Sequence, residues 1–287
     1  MQKKSASTYI LFIILLLASI VVVMPFVLMI TASLKTSAEI NASVFKFFPA
    51  KMQFSNYPKA FANSPWGRWF ANTIFVTVLA TVVSLVTNSM AGFSFARLQF
   101  KGRDLLFYSV LLGIMVPPQL TILPTFLIMR GIPLTGGNNL WGQGGTGLID
   151  SYLGLTLPIF AGAFGIFLCR QYFLNFPDSL DDAAEIDGAG VWKRFWAIYV
   201  PNSKPLLLSL GILKGTYTWN DYIWPLVVVY SEKMMTVQLG LSRFRDVIIN
   251  WELLMAATAT VMLPLVILFI LSQRYFVSGL VTSGMKG

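Results

Sequence analysis

Lys214 lies about halfway through an apolar run, and Asp221 follows seven residues later, a spacing that returns to nearly the same face of a helix. Charge stranded in lipid is costly, so an ionisable group in such a run marks a functional position by default. The chemistry on offer is recognition. A carboxylate suits hydroxyl groups, and an ammonium suits an anionic group. Around these charges Tyr217, Trp219 and Tyr222, with the Asn220 amide among them, supply flat surfaces for stacking on a sugar ring. Plainer readings stand beside this one: neutralisation by another segment, snorkelling of Asp221, and rings packed as core.

A second constellation is polar and sits between apolar runs. Asp178 follows Pro177 and is placed to cap a helix, while Asp181 and Asp182 put negative charge in its first turn, where the helix dipole favours it. Ala183, Ala184 and Ile186 give that helix a small apolar face. Gly188 permits a backbone reversal, and Val191 to Tyr199 starts a second helix that Pro201 closes. Two short helices meeting at a glycine make a knob that can enter a cleft on a partner; the pattern also fits an ordinary connector.

Several catalytic chemistries are excluded. The chain has no histidine and one cysteine, Cys169, so His-ligated zinc, a cysteine metal site, histidine-based catalysis and a disulfide framework are all ruled out. No Gly-Lys dipeptide occurs, which removes a phosphate-binding loop of the form GxxxxGK. The glycine-rich run from Gly136 to Gly147 has no preceding strand and no following Lys-Ser/Thr; it reads as a partner-facing loop rather than a phosphate cradle.

The elements that position these residues are membrane spans. With 56% hydrophobic residues, 11% charged residues and a mean hydropathy of +0.69, the solvent of this 287-residue chain is lipid. One helical span needs about 20 apolar residues. Six segments of that kind run over about 9–31, 69–95, 105–129, 152–173, 205–229 and 253–277. The expected fold is all-α: a polytopic membrane protein with six transmembrane helices, one transmembrane domain over 1–287 with the 178–201 loop inside it. Behind Lys3 and Lys4, the first apolar run is too long for a signal peptide and no small-residue cleavage site follows, so it reads as a retained helix. A net charge of +9 does not point to nucleic acid, because no basic run of five or more occurs. The short turn with Arg97, Lys101 and Arg103 instead marks a cytoplasmic side, which both termini and the 178–201 loop then share. On that topology Trp66, Trp69, Trp224 and Trp251 fall near the outer interface. Thr73, Thr77, Thr81, Ser84 and Asn88 line one helical face, for interhelical hydrogen bonds or for a water-lined path. Pro117 and Pro118 break the third span, freeing carbonyls for a pore or for a neighbouring helix.

Asp182-Ala183-Ala184, Gly188, Ile198 and Val200-Pro201 resemble, in type and spacing, the cytoplasmic E-A-A loop of permease subunits in ATP-binding-cassette importers. Asp182 stands where Glu is usual and Val200 where Leu is usual; both swaps keep charge or apolar character. Phe95-Ala96-Arg97 through Gly102-Arg103, Met115-Val116-Pro117-Pro118-Gln119, Trp219-Asn220-Asp221-Tyr222 through Leu226, and Gln273-Arg274-Tyr275-Phe276-Val277 extend the resemblance over most of the chain. Together they are similar to the second permease subunit of maltose-type carbohydrate importers.

That resemblance implies a type I importer permease in a bacterial or archaeal cytoplasmic (inner) membrane. It implies a second permease subunit, two ATPase subunits and an external solute-binding protein as partners, with no nucleic acid. The chain itself would bind no cofactor; ATP and Mg would be bound by the ATPase subunits. Carbohydrate is the implied solute class, with glycerophosphate or an anionic saccharide included. Thr236, Gln238, Leu239, Gly240 and Leu241, followed by Phe244, resemble the family loop that reaches into the binding protein and helps displace solute. Met234, Met235, Leu239 and Leu241 offer an adaptable apolar tip, and Lys233, Arg243 and Arg245 can orient a partner. A loop folded on its own membrane domain is the alternative. From other classes, an ion-coupled secondary transporter would need inverted repeats and buried acids, and a non-transporting receptor would leave the broken third span unexplained.

Overall fold

The computed structural model describes residues 6–245 and 250–283. Lys3 and Lys4 lie outside the described residues, as do the side chains of Ala6, Arg245 and residues 274–283. Among the described residues every regular element is helical. The principal helices are α1 (Ala6–Ser33), α2 (Trp66–Arg97), α3 (Arg103–Met115), α4 (Pro118–Arg130), α5 (Tyr152–Thr156), α6 (Ala163–Leu174), α7 (Ser179–Ile186), α8 (Val191–Arg194), α9 (Lys204–Trp219), α10 (Ile223–Val228), α11 (Val237–Ser242) and α12 (Trp251–Ser283).

Three of these, α1, α2 and α12, are long and apolar enough to cross a membrane unbroken. The other predicted spans are broken, each for a local reason. Between α3 and α4 the axis turns by 109°. Pro117 and Pro118 force Val116 and Pro117 into extended backbone, at ψ 118° and 129°, and Pro118 then opens α4. A 45° bend separates residues 152–159 from α6. The segment predicted over 205–229 is α9, a break at 220–222, and α10. Pro225 has no N–H to donate to the carbonyl four residues back, so a helix through Asp221 is disfavoured and Tyr222 instead starts a new turn, its carbonyl accepting from Leu226 N–H at 3.0 Å.

Two compact units are present. One comprises residues 1–66 and 240–266, the other 67–239 and 267–287. In the first, α1 is apolar on all sides, and its Tyr9 to Val23 side chains are exposed, as lipid contact requires. Beyond α1 a capping box between Thr36 and Glu39 starts a short turn, and the buried Asn56 amide donates to the Ser33 and Lys35 carbonyls at 2.9 and 2.8 Å.

In the second unit α2 is the spine. Near one end Val76 packs with Met129, Ile149, Leu155, Trp224 and Val228; near the other, Phe93 and Ala96 pack with Cys169, Phe173, Phe195, Tyr199, Leu206 and Leu210. Seventeen residues of helix, about 25 Å, separate Val76 from Phe93. The small residues that let helices approach are specific. A Cβ at Gly92 would lie 2.4 Å from Cys169 Cβ, and one at Gly165 would lie 2.4 Å from Asn88 Nδ2. Gly92→Ala should therefore cost ~1–3 kcal/mol by overpacking the α2–α6 contact. A lowered unfolding temperature in detergent checks this; an unchanged one would show that the two helices part freely.

The polar face of α2 serves the protein interior. Thr73 Oγ1 donates to the Trp69 carbonyl and accepts from Val237 N–H, both within 2.9 Å. Asn88 donates to Ser84 Oγ at 2.8 Å and accepts from Gly162 N–H at 2.9 Å. Thr77 and Thr81 face Gly215 of α9, where an added Cβ would meet their side chains at 3.9 and 3.6 Å. Thr73 and Asn88 thus bond to segments outside α2, while Ser84 accepts from Asn88 within it. Of the four tryptophans, Trp66, Trp69 and Trp224 are buried in the protein and Trp251 is exposed. The reason is a partner for each of two indole N–H groups: Trp69 Nε1 donates to the Glu232 carbonyl and Trp224 Nε1 to that of Gly154, both at 3.0 Å.

Candidate functional site

The 178–201 loop folds as α7, a glycine reversal, α8, a single π-helical turn over Phe195–Tyr199 and a short turn over Val200–Asn202. Gly188 adopts φ +67°, which a side chain resists. Ala189 N–H donates to the Ala184 carbonyl at 2.8 Å and Gly188 N–H to that of Glu185 at 3.0 Å, the paired bonds that close a helix at a left-handed residue. Two local expectations are corrected. Asp178 makes no side-chain cap bond to α7; it sits in helical backbone and its carboxylate is taken by Arg97 at 2.5 Å. Pro201 does not close the second helix either, because it occupies the first turn of Val200–Asn202, where its missing N–H costs nothing.

The loop has an inner and an outer side. Ala184 is buried, while Asp182, Ala183 and Pro201 are exposed and Ile198 is half-buried against the Phe93–Leu210 core. Phe195 and Tyr199 are buried in that core, with Phe93 ring contacts at 5.4 and 4.8 Å. On the outside, Ile186 is 86% exposed, and Trp192 and Trp196 are exposed as well. Burial, with the hydrogen bond that its hydroxyl donates to Asp181 at 2.5 Å, raises the Tyr199 pKa.

Near the helix breaks lies a cavity of about 580 Å³. The opening turns of α4 contribute Gln119, Thr121 and Thr125; the end of α9 and the break after it contribute Thr216, Tyr217, Asn220, Asp221 and Tyr222. Four of the six predicted pathway residues are thus brought together. Lys214 is not among the lining groups: its ammonium lies 5.7 Å from the Tyr217 ring centroid. Trp219 is buried in the protein, its carbonyl accepting from Gln238 Nε2 at 3.3 Å. The helix that would carry Lys214 and Asp221 on one face stops at Trp219, so the two lie on separate elements, although their charges still act on each other. Asp221 instead accepts from Trp224 N–H at 3.3 Å and so starts α10. Thr121 and Thr125 carry no signal of their own in the sequence, although the Pro117-Pro118 break with Gln119 behind it marks the spot.

Residues 230–239 do not form a free tip. Asp150 accepts from Tyr230 and Ser231 N–H, both at 3.0 Å, and Asn72 Nδ2 donates to the Lys233 and Met235 carbonyls, both at 2.8 Å. Thr236, Val237 and Leu239 are buried, Gly240 is buried, and Gln238, Met234, Met235 and Leu241 are half-buried. The backbone of 230–237 is clasped by Trp69, Asn72, Thr73 and Asp150, and the Val237 and Leu239 side chains are buried rather than offered as a free tip. Burial pulls the Asp150 carboxyl upward, but the donors from Ser231 and Tyr230 outweigh it and hold its pKa below the ordinary 3.8. The glycine-rich loop is also ordered. Asn138 donates to the Arg130 and Ile132 carbonyls at 2.8 and 2.9 Å and accepts from Gly145 N–H, while Thr146 N–H donates to the Gly136 carbonyl. Those amides point inward, which removes the phosphate cradle, and leave Leu140 and Trp141 exposed at the tip.

The family described as binding-protein-dependent transport system inner membrane component matches residues 88–281. Among similar curated proteins, the arabinooligosaccharides transport system permease protein AraQ of Halalkalibacterium halodurans is 33% identical, the match covering 93% of this chain and 92% of that one. The sn-glycerol-3-phosphate transport system permease protein UgpE of Brucella suis biovar 1 is 30% identical over 98% of both chains. Among solved structures, a chain of a bacterial ABC transporter involved in the import of the acidic polysaccharide alginate superposes with a TM-score of 0.81 at 24% identity, covering 96% of this chain and 100% of that one. At that identity the likeness concerns the fold.

Proposed function

The chain belongs to the family of binding-protein-dependent transport system inner membrane components, and from that membership we propose that it is a non-catalytic permease subunit of an ATP-driven carbohydrate importer. It forms half of the translocation pathway with a second permease subunit. Two ATPase subunits bind the ATP and Mg, an external binding protein delivers solute, and both termini lie on the ATPase side of the membrane. The observation that carries the coupling role is the 178–201 loop, where exposed Ile186, Trp192 and Trp196 stand on a base locked into the core by Phe195 and Tyr199. An apolar rim on a rigid base is what a partner cleft requires.

Solute class follows from the cavity. Hydroxyls of Thr121, Thr125 and Thr216, amides of Gln119 and Asn220, and the Tyr217 ring suit a polyhydroxylated ring. Asp221 is the charged group among the described lining residues, which favours an uncharged saccharide over a glycerophosphate-like anion. The test is the assembled complex in lipid vesicles. Binding protein loaded with an oligosaccharide should stimulate ATP hydrolysis more than binding protein loaded with sn-glycerol 3-phosphate, and the purified chain alone should show no hydrolysis and no vectorial uptake. Uptake by the chain alone, driven by an ion gradient, would overturn the reading in favour of a secondary transporter.

A further inference from the structure

We propose that Arg97 is the positioning residue that makes the 178–201 loop and α2 move as one body, so that displacement of the docked loop reaches the membrane helices. The proposal rests on the docking role given to that loop above. Arg97 is the last residue of α2. Its side chain is 8% exposed, whereas that of Asp178, one of its partners, is 90% exposed. The guanidinium inserts at the end of α6. Its Nε and Nη2 donate to the Phe173 carbonyl at 3.1 and 2.8 Å, and Nη2 also donates to the Phe176 carbonyl. The Phe173 carbonyl lies in the last turn of α6, where it also accepts from Phe176 N–H at 3.2 Å, and a cation there is favoured by the helix dipole.

The same group then gathers both ends of the loop. On the outgoing side Nη1 reaches Asp178 at 2.5 Å and Asp181 at 3.5 Å. On the returning side the guanidinium lies 5.7 Å from the Tyr199 ring centroid, and the Tyr199 hydroxyl donates to Asp181, which Arg194 approaches at 3.6 Å. Only a planar fork with several donors can hold two carbonyls, a carboxylate and a ring face together; an ammonium cannot. From this hub α2 runs on past Thr81, which abuts Gly215 of α9, two residues before the cavity-lining Tyr217. Loop, α2 and cavity wall are therefore in continuous contact, and a loop pulled by its partner has a rigid link to the helices that line the cavity.

The experiment uses the assembled complex in vesicles with a reporter Leu120→Cys, an exposed residue of α4 beside the cavity; native Cys169 is buried. Labelling by a membrane-impermeant maleimide is compared with and without Mg-ATP plus vanadate. The parent should show a nucleotide-dependent change in labelling rate. Arg97→Ala should still capture the ATPase and hydrolyse ATP, with that change reduced about tenfold, the size of a typical coupling between sites. Arg97→Lys should fall between the two. An undiminished change in Arg97→Ala overturns the proposal, and so does loss of assembly in both variants, which would make Arg97 purely structural. If Arg97→Ala alone fails to assemble, Arg97→Lys decides: a weakened change supports the proposal and a full one overturns it. A parent complex that captures no ATPase would instead sink the docking role itself, before any Arg97 variant is read.

Discussion

Gly188→Val should abolish ATP-driven uptake while leaving the helices of both units in place. At φ +67° a β-branched side chain is strained, and the left-handed conformation costs an L-residue ~1–2 kcal/mol before branching is considered. Nothing lies within 4 Å of an added Cβ, so the effect is a backbone effect and not a clash. The chain escapes the strain by opening the reversal, which breaks the Ala189 and Gly188 amide bonds to the end of α7 and changes the angle between α7 and α8. Capture of the ATPase should weaken about tenfold or more, since each 1.4 kcal/mol is tenfold in affinity. A graded series gives the control. Gly188→Asn, which tolerates this conformation, should stay near the parent, with Gly188→Ala between. Asp182→Lys should weaken capture only a few-fold, because an exposed charge in a first turn is worth ~0.3–1 kcal/mol. Pull-down of the ATPase and uptake measured together check the series; parent-like capture in Gly188→Val would remove the loop from docking.

Deleting residues 231–239 should destroy the assembled permease, with basal ATP hydrolysis lost along with stimulation by the binding protein. The segment gives Trp69, Asn72, Thr73 and Asp150 their partners. Each group left buried without one costs ~1–3 kcal/mol, comparable in sum with the whole stability of many folded proteins. Buried Val237 and Leu239 add lost apolar burial. Survival of basal hydrolysis with only the stimulation lost would restore the segment as a binding-protein contact and show that the clasp is dispensable.

Much of this protein was determined by residues close together in the chain. Apolar runs of 20 or more residues dictate helices for lipid. Pro117-Pro118 dictates the bend between α3 and α4, Pro225 the break after α9, and Gly188 the reversal between α7 and α8. Each depends on backbone sterics within four residues, so spacing suffices to read it. The tertiary structure decided which polar groups meet. Arg97 finds the Phe173 carbonyl 76 residues on, and Trp69 finds that of Glu232 163 residues on. Periodicity put Lys214 and Asp221 on one face, yet packing left Asp221 in the cavity wall and Lys214 outside it. In the same way packing supplies the acceptors of the Trp69 and Trp224 indoles, the Glu232 and Gly154 carbonyls. A buried donor must be satisfied wherever the fold supplies an acceptor, and the identity of that acceptor is a property of how the helices pack and not of the residues beside it in the chain.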